Sequence, residues 1–168
     1  MGKTKICRIE ILCASEDGIL NALQLLADVK STHSFSYVRL MGDNHVNVGT
    51  MKVKVSVPGF TALIEAFTAK NTFDMTTVFR FYNFDPDITP LMSFVQVLQN
   101  NPTLQTIGFA KNNLTEDVCA GILQRVYFNP ALKCLDINSN NITISTFKQN
   151  YIKPYFSARG EEFNIIMD

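Results

Sequence analysis

The chain has no tryptophan and only two histidines, His33 and His45. Neither histidine has an acid or nucleophile placed to work with it, so histidine-based acid–base chemistry has no visible support. The four cysteines, Cys7, Cys13, Cys119 and Cys134, show no CxxC spacing. With so few histidines they are too sparse for a structural zinc site, and no metal ligand set is proposed. Gly-rich phosphate loops, paired catalytic carboxylates and nucleophile elbows are missing as well. The expectation is a protein that is not an enzyme, with no catalytic residues and no cofactor.

Long apolar runs are also lacking, and nothing approaches the ~20 residues that cross a bilayer. Neither charge sign is in excess, because 15 basic and 15 acidic residues cancel. A neutral chain has no global field to attract nucleic acid or an anionic membrane, so neither is expected as a partner. The opening MGKTKI has no signal-peptide apolar stretch, and Ile6 stands where a myristoylation motif needs Ser or Thr. These absences point to a reducing, cytoplasmic setting with free thiols. Cys119 and Cys134 read as small packed hydrophobes rather than nucleophiles. Asn113-Leu114-Thr115 and Asn141-Ile142-Thr143 match the glycosylation sequon, but both follow from a repeat and read as structural.

What the chain does have is that repeat. Its 46% hydrophobic and 18% charged composition suits one folded domain over residues 1–168. Phe79, Ile107, Leu135 and Phe163 fall 28 positions apart, and Phe81, Phe109, Ile137 and Ile165 follow each by two. Superposed at that shift, Leu104 meets Leu132, Asn112 meets Asn140, and Leu114 meets Ile142. The alternation in each first part predicts a short strand. Thr115-Glu116-Asp117 then predicts a helix start, with Val118, Ile122, Leu123 and Val126 at helical spacing and Asn129-Pro130 as the stop.

These units resemble leucine-rich repeats of the ribonuclease-inhibitor type, LxxLxLxxNxL followed by a helix. The resemblance implies an α/β fold: a short right-handed solenoid, or horseshoe, with a parallel sheet on the concave face and helices on the convex face. About five repeats and a terminal sixth strand are expected. It also implies that Asn112 and Asn140 are structural, bonding the backbone of the strand-to-helix loops. Phe84 and Ser56 occupy the two earlier equivalents, so those loops need another solution.

Earlier units are less regular. Ser15 to Val29 predicts a capped helix, Phe60 to Ala69 another, and Thr89-Pro90 opens a third. Counting back from Phe79 puts Met51 and Val53 at strand positions, 42 residues beyond Ile9. The excess lies around residues 35–50, where Val38 and Leu40 could also be strand positions. Gly42-Asp43-Asn44 predicts a turn there, hence a β-hairpin inserted in the second repeat.

In such strands the residues between the apolar ones face the concave side. The resulting ladders give Lys52, Lys54 and Arg80 as a basic cluster beside Tyr82, with Asp136, Asn138 and Glu162 toward the C-terminal end. Like charges ~5 Å apart repel by roughly 0.8 kcal/mol even in water, so an acidic partner would relieve the cluster. The expected function is protein–protein interaction on the concave face through Lys52, Lys54, Arg80, Tyr82, Asp136 and Asn138. Alternatives within the resemblance are a GTPase regulator of the Ran-GTPase-activating-protein type and a tropomodulin-like cytoskeletal capping domain. The terminal strand edge suggests self-association as a further expectation.

Overall fold

In Arg8-Ile9-Glu10-Ile11 and Tyr37-Val38-Arg39-Leu40 every second residue is apolar, the pattern of a strand with one covered face. The computed structural model describes residues 4–29, 32–42, 52–69, 73–155 and 163–168. Within them the chain runs β1 (Thr4–Cys13), α1 (Glu16–Val29), β2 (His33–Gly42), β3 (Val53–Val55), α2 (Val57–Thr68), β4 (Val78–Tyr82), β5 (Phe84–Pro86), α3 (Ile88–Gln99), β6 (Thr106–Gly108), α4 (Glu116–Val126) and β7 (Cys134–Asp136). A last helical stretch follows, from α5 (Ile144–Phe147) through a π-helical turn (Lys148–Ile152) to α6 (Lys153–Tyr155), and then β8 (Asn164–Ile166).

The protein is α/β. Its central sheet has six strands, all parallel, in the order β1-β2-β4-β6-β7-β8, while β3 and β5 form a separate parallel pair. Parallel neighbours need a crossover, and a helix lies between most of the successive strands. Helix α1 packs against α2, α2 against α3, and α3 against α4. The sheet face beneath them is dry: Val38, Phe79, Ile107 and Leu135 form one fully buried row, and Leu40, Phe81, Phe109 and Ile137 another.

Between α2, β4 and α3 the core is aromatic. Phe94 lies 6.1 Å from Phe60, 5.4 Å from Phe67 and 5.7 Å from Phe79 by ring centroid. Phe81 stacks on Phe84 at 4.2 Å. A fully buried ring of this kind stabilises by about 1.5–3 kcal/mol through area alone.

Loops are held by side chains from neighbouring units. Asn112 Nδ2 donates to the Phe81 carbonyl at 2.8 Å, and its Oδ1 accepts from the Phe84 N–H at 2.8 Å. Asn140 repeats the arrangement one unit later, donating to the Phe109 carbonyl at 2.9 Å and accepting from the N–H groups of Asn112 and Leu114. The loop lacking Asn at residue 56 has another solution. The Glu16 carboxylate, in the first turn of α1, accepts from the N–H groups of Ser56 (2.8 Å) and Gly59 (2.9 Å) and so caps α2. Glu116 does the same for the next helix start, accepting from the Thr143 N–H at 3.3 Å.

Four expectations need correction. Residues 33–42 are not the first arm of an inserted hairpin. They form a full parallel strand of the central sheet, with Val38 beside Ile9 and Phe79. The second arm of that hairpin, and Met51, lie outside the described residues. Val53 does not join the central sheet either; β3 pairs with β5, Val53 opposite Phe84. At the far end Leu135 pairs with Ile165 rather than Phe163, a shift of two that leaves the same face inward. Phe163 packs instead edge-on against Tyr127, 5.5 Å away. Finally, α3 starts at Ile88 after Asp87, so Thr89 and Pro90 lie within its first turn.

Phe94→Ala should lower the unfolding free energy by about 3–5 kcal/mol in urea titration, because its ring joins both helices to the sheet. Phe128→Ala, whose ring is 77% exposed, should change it by less than about 0.5 kcal/mol. Equal effects would remove the aromatic cluster as the centre of the core.

Candidate interaction surface on the open face of the sheet

The strand residues that alternate with the buried rows stand on the uncovered face. Strand register fixes their rows. One is Arg8, Tyr37, Val78, Thr106, Cys134 and Asn164; the middle one is Glu10, Arg39, Arg80, Gly108, Asp136 and Ile166. A third begins Leu12, Met41 and Tyr82. Of the expected residues, Arg80, Tyr82 and Asp136 belong to this face.

Lys52 and Lys54 do not. Lys52, just before β3, donates from Nζ to the Lys111 carbonyl at 2.6 Å, and burial lowers its pKa. Lys54 sits on β3 and reaches Asp87 at 2.6 Å and Asp85 at 3.9 Å; the Asp87 hydrogen bond raises its pKa. Both lysines therefore fasten the loop region rather than line the row. Asn138, two residues past β7, gives its carbonyl to the Lys111 N–H at 3.0 Å and its own N–H to Asp136 Oδ1 at 3.3 Å.

The residues that replace the lysines are Arg39 and Arg8. Arg39 lies beside Arg80 on adjacent strands, and its guanidinium sits 4.5 Å from the centroid of the Tyr82 ring. Lys111 Nζ lies 5.5 Å from the same ring. Tyr82 therefore presents its negative π faces to two cations, a favourable arrangement worth roughly 0.5–1 kcal/mol each when exposed. Arg8 covers Tyr37 in the same way at 4.4 Å. A Tyr82 hydrogen bond raises the Lys111 pKa, keeping it a cation.

Charges along the middle row alternate only in part. Glu10 accepts from Arg8 Nε at 2.8 Å and lies 3.9 Å from Arg39, and the Arg8 hydrogen bond is the first cause of its lowered pKa. Arg80 reaches across the next strand to Asp136, Nη1 to Oδ2 2.6 Å. Gly108 makes that reach feasible, since a Cβ there would stand 3.0 Å from Arg80 Cγ. Asp136 is only 5% exposed, so its carboxylate relies on this partner. The Nε atoms of Arg39 and Arg80 are buried without a hydrogen-bond partner among the described residues.

Arg39 was legible in principle, because Tyr37, Arg39 and Met41 alternate with Ser36, Val38 and Leu40 in the sequence. What hid it was the choice of residues 52–54 as the second strand. Clefts lie on the helical side, for example between α1 and α2 beside Leu20, Leu23, Ala62 and Ala66. Cys13 and Cys119 are buried thiols whose pKa burial pushes up to about 11 and about 12. Among the described residues, no helix is long and apolar enough to cross a membrane. Compared with known proteins, the chain matches no family model, no curated sequence and no solved structure.

Arg80→Met should destabilise the protein by about 1–3 kcal/mol, since it leaves the Asp136 carboxylate buried and unpaired. Adding Asp136→Leu should restore most of that loss, a coupling read from a double-mutant cycle in urea. Additive losses would mean that the pair does not hold the row together. The thiols give a pH signature. Their folded pKa values lie above the ordinary 9.0, so stability should be intact below pH 9 and fall as pH rises toward about 11 and 12. In Cys13→Ala/Cys119→Ala the alkaline slope should be shallower; an unchanged slope would assign it to other groups.

Proposed function

We propose that the chain is a leucine-rich-repeat solenoid of the ribonuclease-inhibitor type that binds another protein on its open, concave sheet face and has no catalytic activity of its own. The observation that carries this reading is the contrast between the two faces of the sheet. One is buried under helices, and the other bears Arg8, Tyr37, Arg39, Arg80, Tyr82 and Asp136 in registered rows. The 28-residue period, the paired loop asparagines and the capped helices support the repeat assignment.

A face of this kind suits an extended partner surface better than a small molecule, which needs a concave pocket with convergent polar groups. Arginine and tyrosine are the residues that most often anchor such contacts. The cations around Tyr82 favour a partner with carboxylates, for which the two arginines offer planar, multi-donor groups. We place the protein in the cytoplasm, where free thiols such as Cys13, Cys119 and Cys134 stay reduced.

Photo-crosslinking from benzoylphenylalanine at Tyr82 tests the reading in extract of the source cells, with the same group at exposed Gln96 on α3 as control. Adducts with a defined protein from Tyr82, lost in Arg39→Glu, and none from Gln96, are expected. Adducts from Gln96 alone would move the binding surface to the helices.

A further inference from the structure

The two ends of the central sheet differ. At one end β8 offers three residues of ladder, while at the other β1 extends over ten, Thr4–Cys13. No described residue pairs with the outer edge of β1. Edge strands are normally blunted by brevity, proline, a bulge or inward charge, because free N–H and C=O groups recruit another strand. β1 carries no proline and pairs with β2 without a bulge over Arg8 to Cys13. Its core-side residues Ile9 and Ile11 are only partly buried, although Val38, Phe79 and Ile107 in the same row as Ile9 are fully buried. Among the described residues, that end of the core is incompletely covered.

The first helix gives an independent sign. α1 turns Ile19, Leu23 and Leu26 to the core, and Leu20, Leu23 and Ala27 line the cleft against α2. At helical spacing Leu25 and Val29 then fall on the opposite flank, away from α2, and Leu25 is 57% exposed. The apolar flank of α1 and the outer edge of β1 therefore lie at the same end of the protein.

We propose that a second copy of this chain docks there, β1 against β1 antiparallel about a two-fold axis at Ile9. The axis places Arg8 opposite Glu10 of the other copy, and Glu10 opposite its Arg8. A two-fold perpendicular to the sheet keeps both sets of helices on one side, so only registers that preserve the face are open. Sliding by one such step puts Arg8 against Arg8 or Glu10 against Glu10. Like charges directly opposite are destabilising, and opposite charges are favourable, so charge selects the Ile9 register. The same axis draws the α1 flanks together through Leu25, 57% exposed. Backbone hydrogen bonds across the joint supply the affinity, as in other strand-addition contacts. The inference does not depend on the function proposed above.

Sedimentation equilibrium over micromolar to hundreds-of-micromolar protein tests it by charge swap. Wild type should weigh twice the chain mass at the upper end. Arg8→Glu and Glu10→Arg, each creating two like-charge contacts about the axis, should each weaken the dimer by about tenfold or more. Arg8→Glu/Glu10→Arg should restore it, with thermal melts of all four proteins confirming a folded chain. A wild type that stays monomeric throughout, or a dimer indifferent to the single reversals, would overturn the proposal. Failure of the double swap to recover the dimer would overturn the Ile9 register.

Discussion

A chain that builds a parallel sheet must leave each strand, turn into a helix and come back, and the peptide groups in that turn cannot use the sheet's own ladder. Buried N–H and C=O groups left without partners each cost about 1–3 kcal/mol. Here neighbouring units supply the missing partners. Asn112 closes the turn after β4, Asn140 the turn after β6, and Glu16 and Glu116 cap helices in units other than their own. In each of these places a turn or helix start is completed from another unit. The stacking of units, the register of the strands and the level of the rows on the open face all follow from that dependence.

The open face inherits its chemistry from this register. Once Arg39 and Arg80 are neighbours, their repulsion must be offset within the face, and it is, by Glu10 on one side and Asp136 on the other. The Asp136 contact spans two strand spacings, which works because Gly108 leaves the intervening place empty. Tyr82 absorbs part of the remaining positive charge on its ring. A row that reads as a simple list in the sequence is thus a balanced electrostatic array in the fold.

How much of this could be read from the residues depended on the kind of signal. Phe79, Ile107 and Leu135 recur at a fixed spacing with Asn112 and Asn140 in phase, and the structure places those strands in register as the spacing implies. The Thr115 cap is present, accepting from the Val118 N–H. Period counting failed where a unit changes length. Val38 and Phe79 are 41 residues apart, so a 28-residue step back from Phe79 landed on Met51, near a real strand of the wrong sheet. Alternation identifies a strand and its faces but not its neighbours. It is equally blind to shifts of two, which is why Phe163 and Ile165 exchanged places without changing face. Glu16 left no local mark at all, because its partners Ser56 and Gly59 lie some 40 residues away.

Loop amides in most proteins exchange with solvent quickly, since connecting segments open on their own and the core amides wait for global unfolding. The nested asparagines reverse that order here. The N–H groups of Asn112 and Leu114 lie between strand and helix, yet both are bonded to Asn140 in the following unit. Releasing them takes more than a local fluctuation of the turn; one unit must part from the next. Deuterium uptake at two connecting residues thus keeps time for the separation of whole units, a clock located where a protein is ordinarily most restless.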